Sequence, residues 1–153
     1  MTFKEIDKSF YEEIAPLDFA LASSHSENRP DIFPEINLMN KKSFKERIKI
    51  KGFLGIAAYK DDDLCGYCFC RIKDFTSSEN SENKILWIDS FYIKEEFRRT
   101  GVGTEFFDEI KRIAKNKGCS LIELEVWEFN EGARNFYDSL GFENQRITKE
   151  YKL

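Results

Sequence analysis

The sequence predicts a mixed α/β fold in which one β-sheet is flanked by helices. Strand-like segments cluster early in the chain and alternate with helical segments later, an order typical of a mixed sheet with helices packed against it. With 153 residues, the chain is predicted to be a single domain, 1–153, with a buried core. Aromatic residues make up 15% of the chain, which argues against disorder.

The first third is predicted to form one short strand and two helical segments. Thr2–Ile6 has strand character, whereas Asp7–Ser24 carries apolar residues at helical spacing. Pro16 interrupts this second segment, so we expect a kink or a break into two short helices. His25–Asp31 is predicted to be a loop. Lys41–Ile50 follows as a short basic helix.

The middle of the chain is predicted to form three strands. Gly52–Lys60 and Leu64–Asp74 are joined by three aspartates, a natural hairpin connection. A polar loop, Thr76–Asn83, separates them from a strand over Ile85–Ile93. Strict alternation along this last strand would place four side chains on one face: Trp87, Asp89, Phe91 and Ile93.

The final third alternates between helices and strands. Gly101–Asn116 has the clearest amphipathic helical pattern of the chain. Leu121–Trp127 is predicted to be a strand, and Asn130 is a good N-cap for a helix that continues to Leu140. Arg146–Leu153 is predicted to form the last strand.

Composition excludes several classes of protein. The formal net charge of -4 argues against general affinity for nucleic acid. No apolar run approaches the ~18 residues that a membrane span requires, so no membrane partner is expected. Because the first residues have no signal-peptide pattern, we expect a cytoplasmic location.

The cysteines raise the question of a metal site. Cys65, Cys68 and Cys70 look like half of a zinc site, but a tetrahedral site needs four ligands, and His25 is the only histidine. Strand alternation would also put Cys65 on the opposite face from the other two. We therefore expect reduced, buried cysteines and no bound metal.

A glycine-containing segment between a strand and a helix has the features of a phosphate site. It is Arg98-Arg99-Thr100-Gly101-Val102-Gly103-Thr104. Backbone N–H groups at a helix N-terminus attract anions, and arginines add positive potential. The P-loop pattern Gly-x-x-x-x-Gly-Lys-Ser/Thr is absent. A dinucleotide-binding fingerprint would need a third glycine where Phe106 stands, which weighs against a nucleotide enzyme.

Two motifs occur in order around one helix and one strand. The first is Arg98-x-x-Gly101-x-Gly103, and the second is the run Asn130–Phe142, similar to Asn-x-x-Ala-x-x-x-Tyr-x-x-x-Gly-Phe. Together they resemble the signatures of the GCN5-related N-acetyltransferases, the GNAT superfamily. The resemblance implies a twisted, largely antiparallel sheet of six to seven strands flanked by helices. It also implies an N-acetyltransferase that uses acetyl-coenzyme A as co-substrate.

The resemblance further implies a set of coenzyme-binding residues. In this family the strand before the loop pairs its backbone with the pantetheine arm, and the loop binds the pyrophosphate. The implied residues are Phe91, Tyr92, Ile93, Arg98, Arg99, Thr100, Gly101, Val102, Gly103, Thr104 and Asn130. A backbone N–H of the strand would face the thioester oxygen. For Asn130, a simple N-cap role is equally compatible with the sequence.

Three residues are candidates for catalysis. Tyr137 is the general acid that the resemblance implies, but moving a proton from a phenol to a coenzyme thiol is uphill by about 2 kcal/mol. Either cationic surroundings lower the pKa of Tyr137, or it mainly hydrogen-bonds the thiolate. Glu125 is the first choice of base, because its segment resembles that of the ribosomal-protein N-terminal acetyltransferases, although it could be an ordinary solvent-face residue. Asp89 is the rival, since apolar surroundings would raise its pKa.

The acceptor side is the least defined part of the sequence. In this superfamily the N-terminal helices and the loop after them cover the acceptor, which points to Arg29, Asp31 and Phe33. An acidic protein suits a cationic partner, so we expect a small-molecule amine or a peptide amine. Whether the chain forms a homodimer is left open. The alternatives are a non-catalytic acyl-coenzyme A sensor and, less favoured, a nucleotide enzyme.

Overall fold

The computed structural model describes residues 1–34, 39–75 and 83–153, which contain one five-stranded sheet. The strands, in both spatial and chain order, are β1 (Thr2–Glu5), β2 (Phe53–Lys60), β3 (Asp63–Phe75), β4 (Asn83–Ile93) and β5 (Cys119–Leu124). The first three pairings are antiparallel, and β4 pairs with β5 in parallel. The predicted fold class is confirmed, although the described residues form five strands rather than six to seven.

Four helices are described: α1 (Tyr11–Asn28), α2 (Lys41–Arg47), α3 (Val102–Asn116) and α4 (Glu131–Ser139). The helices form two groups, and each group packs on a different hydrophobic core. One core contains Phe106 and Ile110 of α3, with α4 packed against it, and the other contains Ile14 of α1 and Phe44 of α2. The sheet therefore has an α3/α4 face and an α1/α2 face. Of the predicted loop Thr76–Asn83, only the last residue lies within the described part, where it begins β4.

The predicted break at Pro16 is wrong, because α1 runs through this residue without interruption. Proline removes a single backbone hydrogen bond, in the second turn of the helix. Ile14 and Leu17 are buried on either side of it, so packing holds this stretch in place. The helix also continues to Asn28, so the predicted loop starts only at Arg29.

Three cysteines are buried together on the α3/α4 face. Cys65, Cys68 and Cys70 all belong to the core around α3, so the prediction that Cys65 faces the other way is wrong. The reason is a shift in the β2–β3 register between Ala58 and Tyr59, which inserts one residue into β3 and reverses the alternation. The prediction of buried cysteines is confirmed for these three.

A second bulge lies in β4. Phe69 pairs with Ser90 while its neighbour Cys70 pairs with Ile88, so Asp89 is the extra residue. The alternation of β4 reverses at this point. The α3/α4 core takes Leu86 and Ile88 before the bulge and Phe91 and Ile93 after it. The predicted common face of Trp87, Asp89, Phe91 and Ile93 is therefore wrong.

The strands β4 and β5 part beyond this bulge. Their pairing ends at Ile88 and Leu124, but β4 continues for five more residues. The predicted extension of β5 to Trp127 is wrong, because the bulge turns β4 away and leaves those residues without a ladder partner. We call the space beside residues 91–93 of β4 the β4–β5 gap.

The predicted last strand over Arg146–Leu153 is also wrong, since these residues form no strand in the structure. Two of its large apolar side chains are exposed to solvent, Ile147 by 73% and Tyr151 by 88%. Among the helices in the described ranges, none combines the length and the apolar composition needed to cross a bilayer.

Candidate functional site

The β4–β5 gap exposes backbone hydrogen-bonding groups of β4. Lys94 N–H donates to the Cys65 carbonyl at 2.8 Å, which sets the alternation for the residues before it. In an antiparallel ladder every second residue points its N–H and C=O at the neighbour. Phe91 and Ile93 therefore point theirs away from β3 and into the gap. Within the described ranges, β5 does not reach far enough to pair with them.

The loop Arg98–Thr104 lies at the end of β4 that borders this gap. Arg99 and Gly101 have positive φ values of 60° and 88°, and α3 begins at Val102 without a side-chain cap. Glu105 N–H is the first to bond back within the helix, to the Gly101 carbonyl. The N–H groups of residues 102–104 therefore remain available, as expected at a helix N-terminus.

The space beside Gly101 is open. A Cβ placed on this residue would have no atom within 4 Å. The positive end of α3 favours negative charge there.

Arg98 connects the loop to β4. Its Nε donates to the Ile93 carbonyl at 2.9 Å, and its guanidinium lies 5.4 Å from the centre of the Tyr92 ring. Thr100 Oγ1 donates to the Phe97 carbonyl at 2.7 Å, which closes the turn before α3. The structure thus brings the two predicted coenzyme-binding segments, 91–93 and 98–104, together at one end of the gap.

Gly103 has a packing role that the sequence did not reveal. A Cβ at this position would lie 3.2 Å from the Phe136 ring of α4. Phe136 in turn stacks on Phe91 with ring centres 5.8 Å apart. The glycine therefore lets α3 and α4 approach each other beside the gap. At the start of α4, Asn130 Oδ1 accepts from Ala133 N–H at 3.1 Å, the predicted N-cap.

Tyr137 lies on α4, with its ring packed between Phe136 and Phe142 at centroid distances of 5.4 and 5.3 Å. Its hydroxyl makes no hydrogen bond to the described residues, although it is not sealed from solvent. Burial raises the pKa of Tyr137, and the nearby Cys68 thiol acts in the same direction. The alternative that cationic surroundings lower this pKa is therefore wrong. The Tyr137 hydroxyl is therefore protonated and neutral.

The two candidate bases have different surroundings. Asp89 lies in the bulge of β4 and is bound by Arg71, with Nε to Oδ2 at 2.7 Å. The expected apolar environment is therefore wrong, because Asp89 is bound by the guanidinium of Arg71, the residue opposite Trp87 in the β3–β4 register. Glu125 is exposed just beyond the end of β5. Its neighbour Glu123 accepts from Gln145 Nε2 at 3.0 Å.

The three predicted acceptor residues lie together after α1. Arg29 donates twice to Asp31 at 2.9 Å and once to Glu150 at 2.9 Å. Phe33 belongs to an aromatic cluster that the sequence did not predict, with His25, Trp127 and Phe129 as its other members. The cluster joins the end of α1 to the segment after β5, a contact that only the tertiary fold reveals.

Comparison with known proteins identifies related sequences. Residues 14–142 match the model of the Acetyltransferase (GNAT) family. N-alpha-acetyltransferase 50 of Danio rerio is 32% identical over 114 residues, 73% of this chain and 64% of that protein. Thialysine N-epsilon-acetyltransferase of Bos taurus is 32% identical over 56 residues, 37% of this chain and 33% of that protein. The matches thus span less than two thirds of these relatives' own length.

Solved structures share the fold over the whole chain. A mutant of the BH1408 protein from Bacillus halodurans superposes with a TM-score of 0.90 at 26% identity, covering 100% of this chain and 99% of that one. Aminoglycoside N-acetyltransferase AAC(6')-Iy in complex with CoA has a TM-score of 0.71 at 16% identity, covering 99% and 98%. At that identity the second likeness concerns the fold alone.

Proposed function

Because the chain belongs to the GNAT acetyltransferase family, we propose that it transfers the acetyl group of acetyl-coenzyme A to a primary amine. The observation that carries this proposal is the convergence at the β4–β5 gap. Unpaired backbone groups of β4 face the gap, and the N-terminus of α3 follows the loop at its end. Tyr137 is on α4, which packs against β4 through the contact of Phe136 with Phe91. We further propose a location in the cytoplasm.

Coenzyme binding would rest mainly on backbone groups. The N–H groups of residues 102–104 would bind the pyrophosphate, helped by Arg98 and Arg99. The backbone N–H and C=O of Phe91 and the N–H of Ile93 would pair with the pantetheine arm as an added strand, since the Ile93 carbonyl already accepts from Arg98. The Asn130 side chain keeps its amide N–H₂ for the same arm, because only its oxygen is used by the helix cap.

The coenzyme supplies an activated acetyl group, held as a thioester. A backbone N–H of β4 would donate to the carbonyl oxygen and stabilise the negative charge that develops there. Tyr137 would donate its hydroxyl hydrogen bond to the leaving sulfur. Because burial raises the pKa of this phenol, the hydrogen bond rather than full proton transfer is its main contribution.

The acceptor amine must lose a proton as its C–N bond forms and the C–S bond breaks. We propose Glu125 as the group that receives this proton, through a water molecule. Asp89 is the less suitable base, since both of its oxygens are already bound by Arg71. The acceptor would enter between the bulge of β4 and the segment of Arg29, Asp31 and Phe33.

The proposal is tested by measuring thiol release with acetyl-coenzyme A and a panel of amines. The panel should contain an amino acid with a side-chain amine, a polyamine, an aminoglycoside and a peptide N-terminus. Calorimetric titration with acetyl-coenzyme A and with NAD accompanies it. Transfer to any amine supports the proposal. Coenzyme binding without transfer to any amine would favour a sensor, and binding of NAD alone would exclude both.

A further inference from the structure

Two of the described ion pairs on the α1/α2 face of the sheet differ in the distance between their charged groups. Arg71 and Asp89 form a closed pair with two hydrogen bonds at 2.7 and 2.5 Å. Arg47 and Asp18 form an open pair, because their nearest charged atoms are 3.9 Å apart, too far for a hydrogen bond. The open pair has no part in the mechanism proposed above.

Arg47 is the last residue of α2, and its guanidinium packs on an aromatic ring. Its guanidinium lies 4.6 Å from the centre of the Phe69 ring, and its side chain is only 31% exposed. Within the described ranges it donates no hydrogen bond. A largely covered guanidinium with free donors is a good receptor for a carboxylate, because the fork matches both oxygens.

Asp18 supplies the opposite charge on α1. Its Oδ1 accepts from the Tyr67 hydroxyl at 2.7 Å, and its side chain is 16% exposed. Tyr67 keeps this proton, because burial raises its pKa well above the ordinary value. Oδ2 of Asp18 accepts nothing from the part of the chain that the structure describes, so it can bind an ammonium group.

The open pair lies close to the strand that borders the gap. Tyr67 is directly opposite Tyr92 of β4 in the β3–β4 register. Phe69, which carries Arg47 on its ring, is opposite Ser90, next to the bulge. Through these two residues of β3, the open pair lies over the part of the sheet that is next to residues 90 and 92 of β4, and the inference requires a ligand held there to reach the β4–β5 gap.

We propose that Asp18 and Arg47 bind the α-ammonium and α-carboxylate groups of an amino-acid acceptor, whose side-chain amine then receives the acetyl group. This inference rests on the proposed function and names its substrate class. The pair favours a zwitterion over simpler ions. A lone anion would be repelled by Asp18 and a lone cation by Arg47, whereas an amino-acid head group matches both charges.

The test compares acceptors with and without the carboxylate. Lysine and thialysine should be acetylated with a kcat/KM at least tenfold above that of cadaverine, the decarboxylated form of lysine. Arg47→Gln should raise KM for lysine about tenfold and leave cadaverine within twofold. Asp18→Asn, which keeps an oxygen for Tyr67, should act in the same direction. Lys45→Gln, an exposed neutralisation on the same helix, is the matched control and should change neither.

Equal kcat/KM for lysine and cadaverine in the unaltered protein would overturn the inference while leaving the proposed function intact. The same holds if Arg47→Gln weakens both acceptors equally. Should no amine be acetylated, the proposed function fails, and lysine binding measured by calorimetry decides this inference independently. Binding that Arg47→Gln abolishes supports it, and no binding overturns it. If Arg47→Gln does not fold, Arg47→Lys keeps the charge, loses the fork and should raise the lysine KM.

Discussion

Arg71 binds Asp89 through two hydrogen bonds, Nε to Oδ2 and Nη2 to Oδ1, at the bulge of β4. The hydrogen bonds to Asp89 raise the pKa of the Arg71 guanidinium. A guanidinium bonded to both oxygens competes with a substrate proton for the same carboxylate charge. The contact therefore favours a structural role for Asp89 at the bulge of β4. Glu125 remains the proposed base.

We expect Glu125→Gln to lower kcat/KM by about 10²-fold, the size of one general base. It should also flatten the acidic limb of the pH–rate profile, because the proposed proton acceptor is gone. Asp89→Asn should keep the shape of the profile but lower the free energy of unfolding by about 1 kcal/mol, since it weakens a charged hydrogen bond to Arg71. Loss of the acidic limb of the profile in Asp89→Asn alone would reverse the assignment.

We expect Tyr137→Phe to lower kcat by about 10²-fold while the Kd for acetyl-coenzyme A changes little. Its ring contacts with Phe136 and Phe142 remain, and its hydroxyl bonds to none of the described residues, so thermal stability should stay the same. Stopped assays with excess coenzyme and calorimetric titration measure the two quantities. An unchanged kcat would show that the hydroxyl has no part in the reaction.

The sequence predicts best what local chemistry determines. The amphipathic pattern of α3 and the N-cap at Asn130 appear in the structure as expected. The hairpin after β2 turns at Asp61 and Asp62 with positive φ values, as a two-residue turn requires. The loop at Gly101 is likewise local, because it needs only a glycine and a following helix.

The missed features depend on partners that are distant in sequence. The bulge at Asp89 exists only in the register with β3, so alternation along β4 gives the wrong faces. Likewise, β5 ends where β4 turns away, and its own sequence does not mark that point. The contact of Arg71 with Asp89 and the open pair of Arg47 with Asp18 require the assembled sheet and helices.

The two glycines of the loop should respond differently to alanine. Both substitutions should lower the free energy of unfolding by about 1 kcal/mol, at Gly101 because of its positive φ and at Gly103 because of contact with the Phe136 ring. A double-mutant cycle with Phe136→Leu separates the causes. We expect a coupling above about 0.5 kcal/mol for Gly103 and none for Gly101. Equal coupling at both positions would contradict the packing role of Gly103.

The stability of the protein should depend on His25 in mildly acidic solution. His25 is packed between the rings of Phe33 and Phe129, and burial lowers its pKa. Below about pH 6.5 the unfolded chain therefore binds a proton that the folded chain resists, and stability falls as the pH falls. We expect the free energy of unfolding, measured in urea, to decrease between pH 7.5 and 5.5.

The variant His25→Gln should show a smaller decrease over the same interval, because it has no proton to take up. Its absolute stability is not the readout, since the substitution also removes ring contacts. The difference between the two pH values within each protein isolates the titration from that loss. Carboxylates are shared by both proteins and titrate mostly below this range, so they cancel in the comparison. An equal decrease in the two proteins would mean that His25 is as readily protonated in the fold as in the unfolded chain.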